Sequence, residues 1–247
     1  MLFALLALDI LSAFLGCTFA YDNKFVVNTG VRYVNLCAVA YCTDQSLHRN
    51  TVNDWSCSAC KQFPHMKDPV SFHGDGCTDA NGFVGYDAGA NEIVVSFSGT
   101  NPLSIQNWIV DDLDTVKENY PYCSGCEVHK GFYHAYKSVD NQVKSLVNKL
   151  LSTYGNVSIA ITGHSLGAGM AAHCAAELVH NGYKIKTLYT YGMPRVGNQA
   201  FEQWYVTVVP GTFRVVHYQD PVPHLPNKIW GFHHMPYEVS EMMFVAI

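Results

Sequence analysis

The sequence predicts a single α/β domain built on a mostly parallel central sheet flanked by helices. Three observations carry that prediction. From about residue 130 onward, short β-branched runs alternate with longer amphipathic stretches, the order of a parallel sheet with right-handed crossovers. One junction, Ile159-Ala160-Ile161-Thr162-Gly163-His164-Ser165-Leu166-Gly167-Ala168, sets G-x-S-x-G between a strand run and a helix-forming run. The chain has 247 residues and 49% hydrophobic content, enough for one domain with a large core.

Taken in order, residues 1–20 read as a targeting leader cut after Ala20, and 21–247 as the single domain. The apolar run is short for a bilayer span. It is atypical of leaders in carrying Asp9 and no preceding Lys or Arg. Val31 to Cys42 has helical spacing, with Val31, Val34, Ala38 and Val39 recurring on one side. Thr43 to Gly82 reads as loop, rich in Cys, Pro, Gly and His. Phe83–Asp87 and Glu92–Phe97 flank a Gly/Asn turn and predict a β-hairpin. Thr100 to Tyr122 reads as a connector with a short amphipathic piece around Trp108.

Phe132 to Tyr154 is the clearest helix, with Phe132, Tyr136, Val139, Val143, Val147 and Leu150 on one face. Val157–Ile161 predicts the strand before the G-x-S-x-G turn. Leu166–Val179 predicts the helix after it, stopped by Asn181-Gly182. Ile185–Tyr191 and Phe213–Tyr218 read as further strands, with a helix from Gly197 to Tyr205 between them.

Composition narrows the function classes. Net charge is −5 and only 14% of residues are charged. No Lys/Arg run exists, which argues against a nucleic-acid partner. The nine cysteines point to an oxidising, exported environment. Two C-x-x-C pairs, Cys57/Cys60 and Cys123/Cys126, raise zinc. Oxidation outside the cell competes with that reading, so no metal is expected. Cys174, in the helix after the turn, reads as a small buried residue. Asn156-Val157-Ser158 is an N-glycosylation sequon in an exported chain.

G-x-S-x-G on a strand–turn–helix is the pattern of a nucleophile elbow. Glycines two residues either side let strand and helix approach, and the serine is thrust out at the apex. A serine hydroxyl needs a base, and the base needs an orienting acid. Among downstream acids, Glu177 and Glu202 fall on helices. Asp220 follows a strand end, the edge where α/β sites collect. His173 and His180 ride the elbow helix, and His217 lies within a strand. His224, His233 and His234 follow Asp220, and the residues alone leave the base open among these three. An oxyanion hole takes one donor from Leu166, after the serine, and a second from an earlier strand end, where Thr100 stands.

Seven ordered landmarks then make the chain resemble the class 3 lipases, the family of secreted filamentous-fungal triacylglycerol lipases. They are Phe97-Ser98-Gly99-Thr100, Asn107-Trp108-Ile109, Cys123-Ser124-Gly125-Cys126, His129-Lys130-Gly131-Phe132, Thr162 to Gly167, Tyr191 to Asn198, and Asp220 to Pro226. The resemblance implies an α/β-hydrolase-like fold with a short helical lid at about 103–113, including Ile105, Trp108 and Ile109. It implies Ser165 as nucleophile, Asp220 as acid and His234 as base, with His233 in reserve. Thr100 and Leu166 would hold the oxyanion.

It implies the disulfides Cys123–Cys126 and Cys57–Cys60. The family partner of Cys42 has no counterpart here, so Cys42 is expected to pair with Cys37 or Cys77. The implied activity is hydrolysis of lipid esters at a lipid–water interface by a cofactor-free, secreted monomer that touches membranes only peripherally. A lysosomal-type or vacuolar location is the alternative. Feruloyl esterase and phospholipase A1-type activities occur in the same family, and a non-catalytic lipid-binding protein is the alternative of another class.

Overall fold

The computed structural model describes residues 25–43, 51–76, 78, 80–100, 115–209, 211–217 and 219–240. The leader, the lid residues Ile105, Trp108 and Ile109, and Cys77 lie outside them. The described chain runs α1 (Val27–Ala40), β1 (Met66–His73), β2 (Asn81–Asp87), β3 (Glu92–Phe97), β4 (Lys117–Asn119), β5 (Glu127–His129), α2 (Lys130–Tyr154), β6 (Ser158–His164), α3 (Leu166–His180), β7 (Ile185–Tyr191), α4 (Gln199–Val208), β8 (Thr212–Val216) and β9 (Glu238–Ser240). The main sheet has the order β1-β2-β3-β6-β7-β8-β9. β1, β2 and β3 are antiparallel neighbours, and every pair from β3 to β9 is parallel. β4 and β5 form a separate small ribbon. The expected α/β architecture is therefore present.

The central strands are buried on both faces, as strands covered by helices on each side must be. Their side chains alternate. Ile93, Val95, Ile159 and Ile161 enter the core beneath α2 and α3, whereas Val94, Ala160 and Tyr189 enter the core beneath α1. α2 buries Phe132, Tyr136, Val139, Val143, Val147 and Leu150, the face that the spacing predicts. Its start is capped by His129 Nδ1, which accepts from Phe132 N.

The fully or nearly buried acids Asp87, Glu92, Asp140 and Glu177 all sit at paired positions. Glu177 of α3 is fully buried and meets Lys137 and Lys144 of α2, which also hold Asp140. Burial alone would raise the Asp140 pKa. Hydrogen bonds from Lys137, Lys144 and Tyr136 outweigh that and hold it below the usual carboxylate range. At the start of β3, buried Glu92 accepts from Arg32 at 2.6 Å, Tyr33 at 2.9 Å and Lys186 at 2.8 Å, while Arg32 also reaches Asp87.

Four strands escape the sequence reading. β1 lies in the stretch read as loop. It is an edge strand whose register shifts between Lys67 and Val70, with Asp68 at φ +46. Pro69 sits inside this bulge, where a missing N–H costs no ladder bond. Alternation is broken there, so no period-2 signal survives. β4, β5 and β9 are three residues long and depend on their partners.

Cys57–Cys60 and Cys123–Cys126 are disulfide-bonded. The Cys37–Cys42 alternative is corrected, since both are free thiols. Cys37 points into the core, with Sγ 3.1 Å from Thr162 Oγ1, and burial pushes its thiol up to about 12. Cys174 is buried, as expected. Among the described residues no helix is long and apolar enough to cross a membrane.

Candidate active site

The site forms where β3, β6, β7 and β8 end. β6 stops at His164 and α3 begins at Leu166, leaving Ser165 alone at the turn with φ +54 and ψ −124. That backbone is unfavourable for a residue with a Cβ, and such strain persists only where the surroundings enforce it. Here they do. A Cβ on Gly163 would stand 2.3 Å from Gly167 O. One on Gly167 would stand 2.4 Å from Ser98 O and 2.6 Å from Phe97 O. Ser165 N is also tied to Tyr191 O at 2.9 Å. Strand, helix and neighbouring strand end thus meet around one serine.

Ser165 is 1% exposed, and its Oγ has no hydrogen-bond partner among the described residues. Leu166 opens α3, so its N–H belongs to the first turn, which has no intrahelical acceptor. The positive end of the helix dipole lies at the same place. The Ser98-Gly99-Thr100 segment packs on the elbow. A Cβ on Gly99 would stand 2.8 Å from His164 O and 3.0 Å from Ser165 Cβ. Thr100 is buried, and its Oγ1 likewise has no partner among the described residues. Ser165, Leu166 and the Thr100 segment are therefore brought together.

Asp220 lies on the other side of the elbow. Its Oδ1 accepts from Val222 N at 2.9 Å, which fixes the carboxylate. Its Oδ2 occupies space left by Gly192, at φ +56. A Cβ there would stand 2.6 Å from Asp220 Oδ2 and 3.7 Å from His164 Nε2. His164 Nδ1 is 2.6 Å from the Tyr41 hydroxyl. Burial pulls the His164 pKa below its ordinary value, and the Asp220 charge opposes that pull. The sequence reading gave Tyr41, His164 and Gly192 no role. Gly192 and His164 stood inside landmark motifs, which was the available signal.

The structure does not join His234 to either partner assigned to it. Its Nε2 donates to Pro223 O at 2.5 Å, and its buried Nδ1 has no hydrogen-bond partner among the described residues. Burial, together with the Arg214, Arg195 and Lys228 charges, pushes its pKa down to about 2 against the Pro223 bond. His234 and Arg195 both bond the segment that follows Asp220. The Arg195 guanidinium donates to His224 O and Pro226 O, and Arg195 N donates to Leu225 O. Four successive carbonyls are thus held.

His233 faces Glu202 at 3.5 Å. His173 is buried among Tyr120, Tyr133 and Phe201, and burial with the His129 charge pushes its pKa to about 3. The His234 geometry has a testable consequence. His234→Gln can keep a donor on Pro223 O but cannot shuttle a proton. Turnover of a soluble ester is expected to fall by about 10⁴-fold, because His234 is the nominated base. Turnover within about tenfold of wild type would instead remove His234 as the base.

Asp220, His234, Arg195, His224 and Lys228 line a cavity of about 410 Å³. A larger one, about 540 Å³, is lined by Arg32, His65 and Asp87 at the opposite edge of the sheet, far from Ser165. Among the described residues no group of His, Cys, Asp and Glu is placed to hold a metal ion. Asn156 is exposed in the turn between α2 and β6.

Comparison with known proteins gives a family match. Residues 94–230 match the model of the family described as Lipase (class 3). The lipase of Rhizomucor miehei is 34% identical over 214 residues, covering 84% of this chain and 56% of that protein. The secreted mono- and diacylglycerol lipase A of Penicillium camembertii is 34% identical over 158 residues, covering 64% of this chain and 50% of that protein. The chain thus spans about half the length of these two relatives. A solved triacylglycerol lipase, whose catalytic centre is described as formed by a serine protease triad, superposes with a TM-score of 0.77. It is 33% identical and covers 87% of this chain and 79% of that one.

Proposed function

Because the chain belongs to the class 3 lipase family, we propose that it is a secreted serine hydrolase of acylglycerol esters, working as a monomer at a lipid–water interface. The observation that carries this reading is the strained Ser165, held at φ +54 between the end of β6 and the start of α3. An idle serine would not be kept in that conformation.

Chemistry follows from the arrangement. A histidine oriented by Asp220 takes the Ser165 proton as Oγ attacks the ester carbonyl. His234, on the wall of the Asp220 cavity, is the nominated histidine that the Gln variant tests. Negative charge developing on the carbonyl oxygen is met by Leu166 N–H and Thr100. The histidine returns its proton to the leaving alcohol, and water then repeats the cycle on the acyl-enzyme. The α/β-hydrolase architecture and the named lipases among the relatives support this sequence of steps. No cofactor enters it. The 103–113 segment is proposed as a lid that opens on lipid, and Asn156 as a glycan acceptor.

A fluorophosphonate probe is expected to label Ser165 and to leave Ser165→Ala unlabelled. Tributyrin and a long-chain triglyceride emulsion should be hydrolysed, the emulsion with the greater rise above the solubility limit. No labelling of a folded sample would leave a lipid-binding protein as the reading. Hydrolysis of methyl ferulate with none of either glyceride would move the chain to the feruloyl esterases.

A further inference from the structure

Ile229 and Trp230 are 80% and 47% exposed. They share one 3-10 turn, Lys228–Trp230, which is stiff rather than loose. Asn227 Oδ1 accepts from Ile229 N at 3.0 Å, Trp230 N donates to Asn227 O at 3.1 Å, and Gly231 N donates to Lys228 O at 2.9 Å. Gly231 closes the turn at φ +78, and the next residue, Phe232, is fully buried. Two large apolar side chains are therefore held out into water on a preorganised support. Holding them there is unfavourable by the whole of their unburied area.

The shoulder of this tip is cationic. Lys228 belongs to the turn itself. Lys117 Nζ lies 3.3 Å from where a Gly231 Cβ would stand and 5.6 Å from the centre of the Phe232 ring. Lys117 also pairs with Glu127 at 3.1 Å, so Lys228 carries most of the unshared charge. The tip is continuous with the substrate side of the sheet, because Lys228 lines the same cavity as Asp220 and His234. A Trp–Ile pair beside lysines is the composition that settles at the headgroup level of a bilayer. The chain's net charge of −5 opposes approach to an anionic surface, so attraction has to come from a local cationic group such as Lys228.

We infer that the Ile229–Trp230 turn is a docking point for a lipid surface bearing anionic headgroups, and that it turns the Ser165 edge of the sheet toward that surface. This rests on the lipid-hydrolase reading above, and it deepens it by naming the surface and the residues that meet it. Because the turn is already ordered, insertion costs little conformational entropy.

The test uses the full chain and vesicles of non-hydrolysable ether-linked phosphatidylcholine, with and without ether-linked phosphatidylglycerol. Emission from Trp230, taken as the difference between wild type and Trp230→Phe, is expected to shift to the blue on the mixed vesicles. Ile229→Asp with Trp230→Asp should lower vesicle partitioning about tenfold or more. Lys228→Glu should lower it about fivefold on the mixed vesicles alone. Hydrolysis of water-soluble p-nitrophenyl acetate should be unchanged in the Trp230→Phe and double variants, while emulsion hydrolysis falls with partitioning.

Wild-type partitioning retained by the double variant would overturn the inference. So would a double variant that changes only sedimentation, which would make a second copy of the chain the occupant. Vesicle binding through the tip with no hydrolysis of any ester would leave the docking point standing and remove the hydrolase reading.

Discussion

Ser165→Gly is expected to abolish ester hydrolysis and to make the protein more stable. Loss of turnover should reach at least about 10⁴-fold, because no other group supplies the acyl-carrying oxygen. The gain in stability comes from the backbone. At φ +54 and ψ −124 a Cβ costs of order 1–3 kcal/mol, and glycine escapes most of that cost. Its greater unfolded freedom takes back about 0.5–1 kcal/mol. A net gain of about 1 kcal/mol corresponds to a rise of roughly 2–4 °C in Tm for a chain of this size. Ser165→Ala is the control, since it removes Oγ and keeps the Cβ. It should be as inactive as the glycine variant without the rise in Tm. Thermal unfolding and soluble-ester turnover, measured on both, decide the matter. Equal Tm values would show that the elbow is not strained, and residual turnover near wild type would place the nucleophile elsewhere.

Gly167→Ala should do the opposite, damaging fold and activity together. Its new Cβ would be pressed against backbone carbonyls, 2.4 Å from Ser98 O and 2.6 Å from Phe97 O. Neither is the end of a flexible side chain that can swing aside. Relief requires α3 to lift from the end of β3, at about 3 kcal/mol and a drop of roughly 6–12 °C in Tm. The same movement displaces Leu166 N–H relative to Thr100. The fraction that remains folded should therefore lose about 10²-fold or more in turnover. A variant that unfolds early but keeps full turnover below its transition would separate the two effects and refute the shared cause. Gly169→Ala is a useful contrast. Its Cβ would meet only the Phe132 ring at 3.2 Å, and a side chain has room to yield.

The elements that sequence made legible are those whose signal is periodic. α2 shows a complete apolar face over seven turns, and the β2–β3 hairpin and β6 are runs that need no knowledge of their neighbours. The elbow was legible for a different reason: its glycines are demanded by backbone contact, so spacing encodes geometry directly. β1 was not legible because its bulge at Asp68 and Pro69 interrupts alternation. The proposed acid, Asp220, is nominated from its position after a strand. Choosing among histidines failed to follow from position. Whether an imidazole reaches Asp220 or Pro223 O depends on side-chain direction within one loop, and no period records that. Gly192 is similar. Its value lies in the space it leaves for a carboxylate from a segment 28 residues later, which is a long-range fact.

The two ends of β3 differ in a way that bears on how such a molecule can change. Glu92 at its start is fully buried and satisfied by Arg32, Tyr33 and Lys186. Just past its other end, Thr100 Oγ1, like Ser165 Oγ on the neighbouring turn, lacks a partner among the described residues. Amide hydrogen exchange should accordingly be slowest at the Glu92 end and faster toward the serine, grading along a single strand. Random substitution libraries would then show the same gradient. Changes around Glu92 would mostly yield nothing soluble to assay.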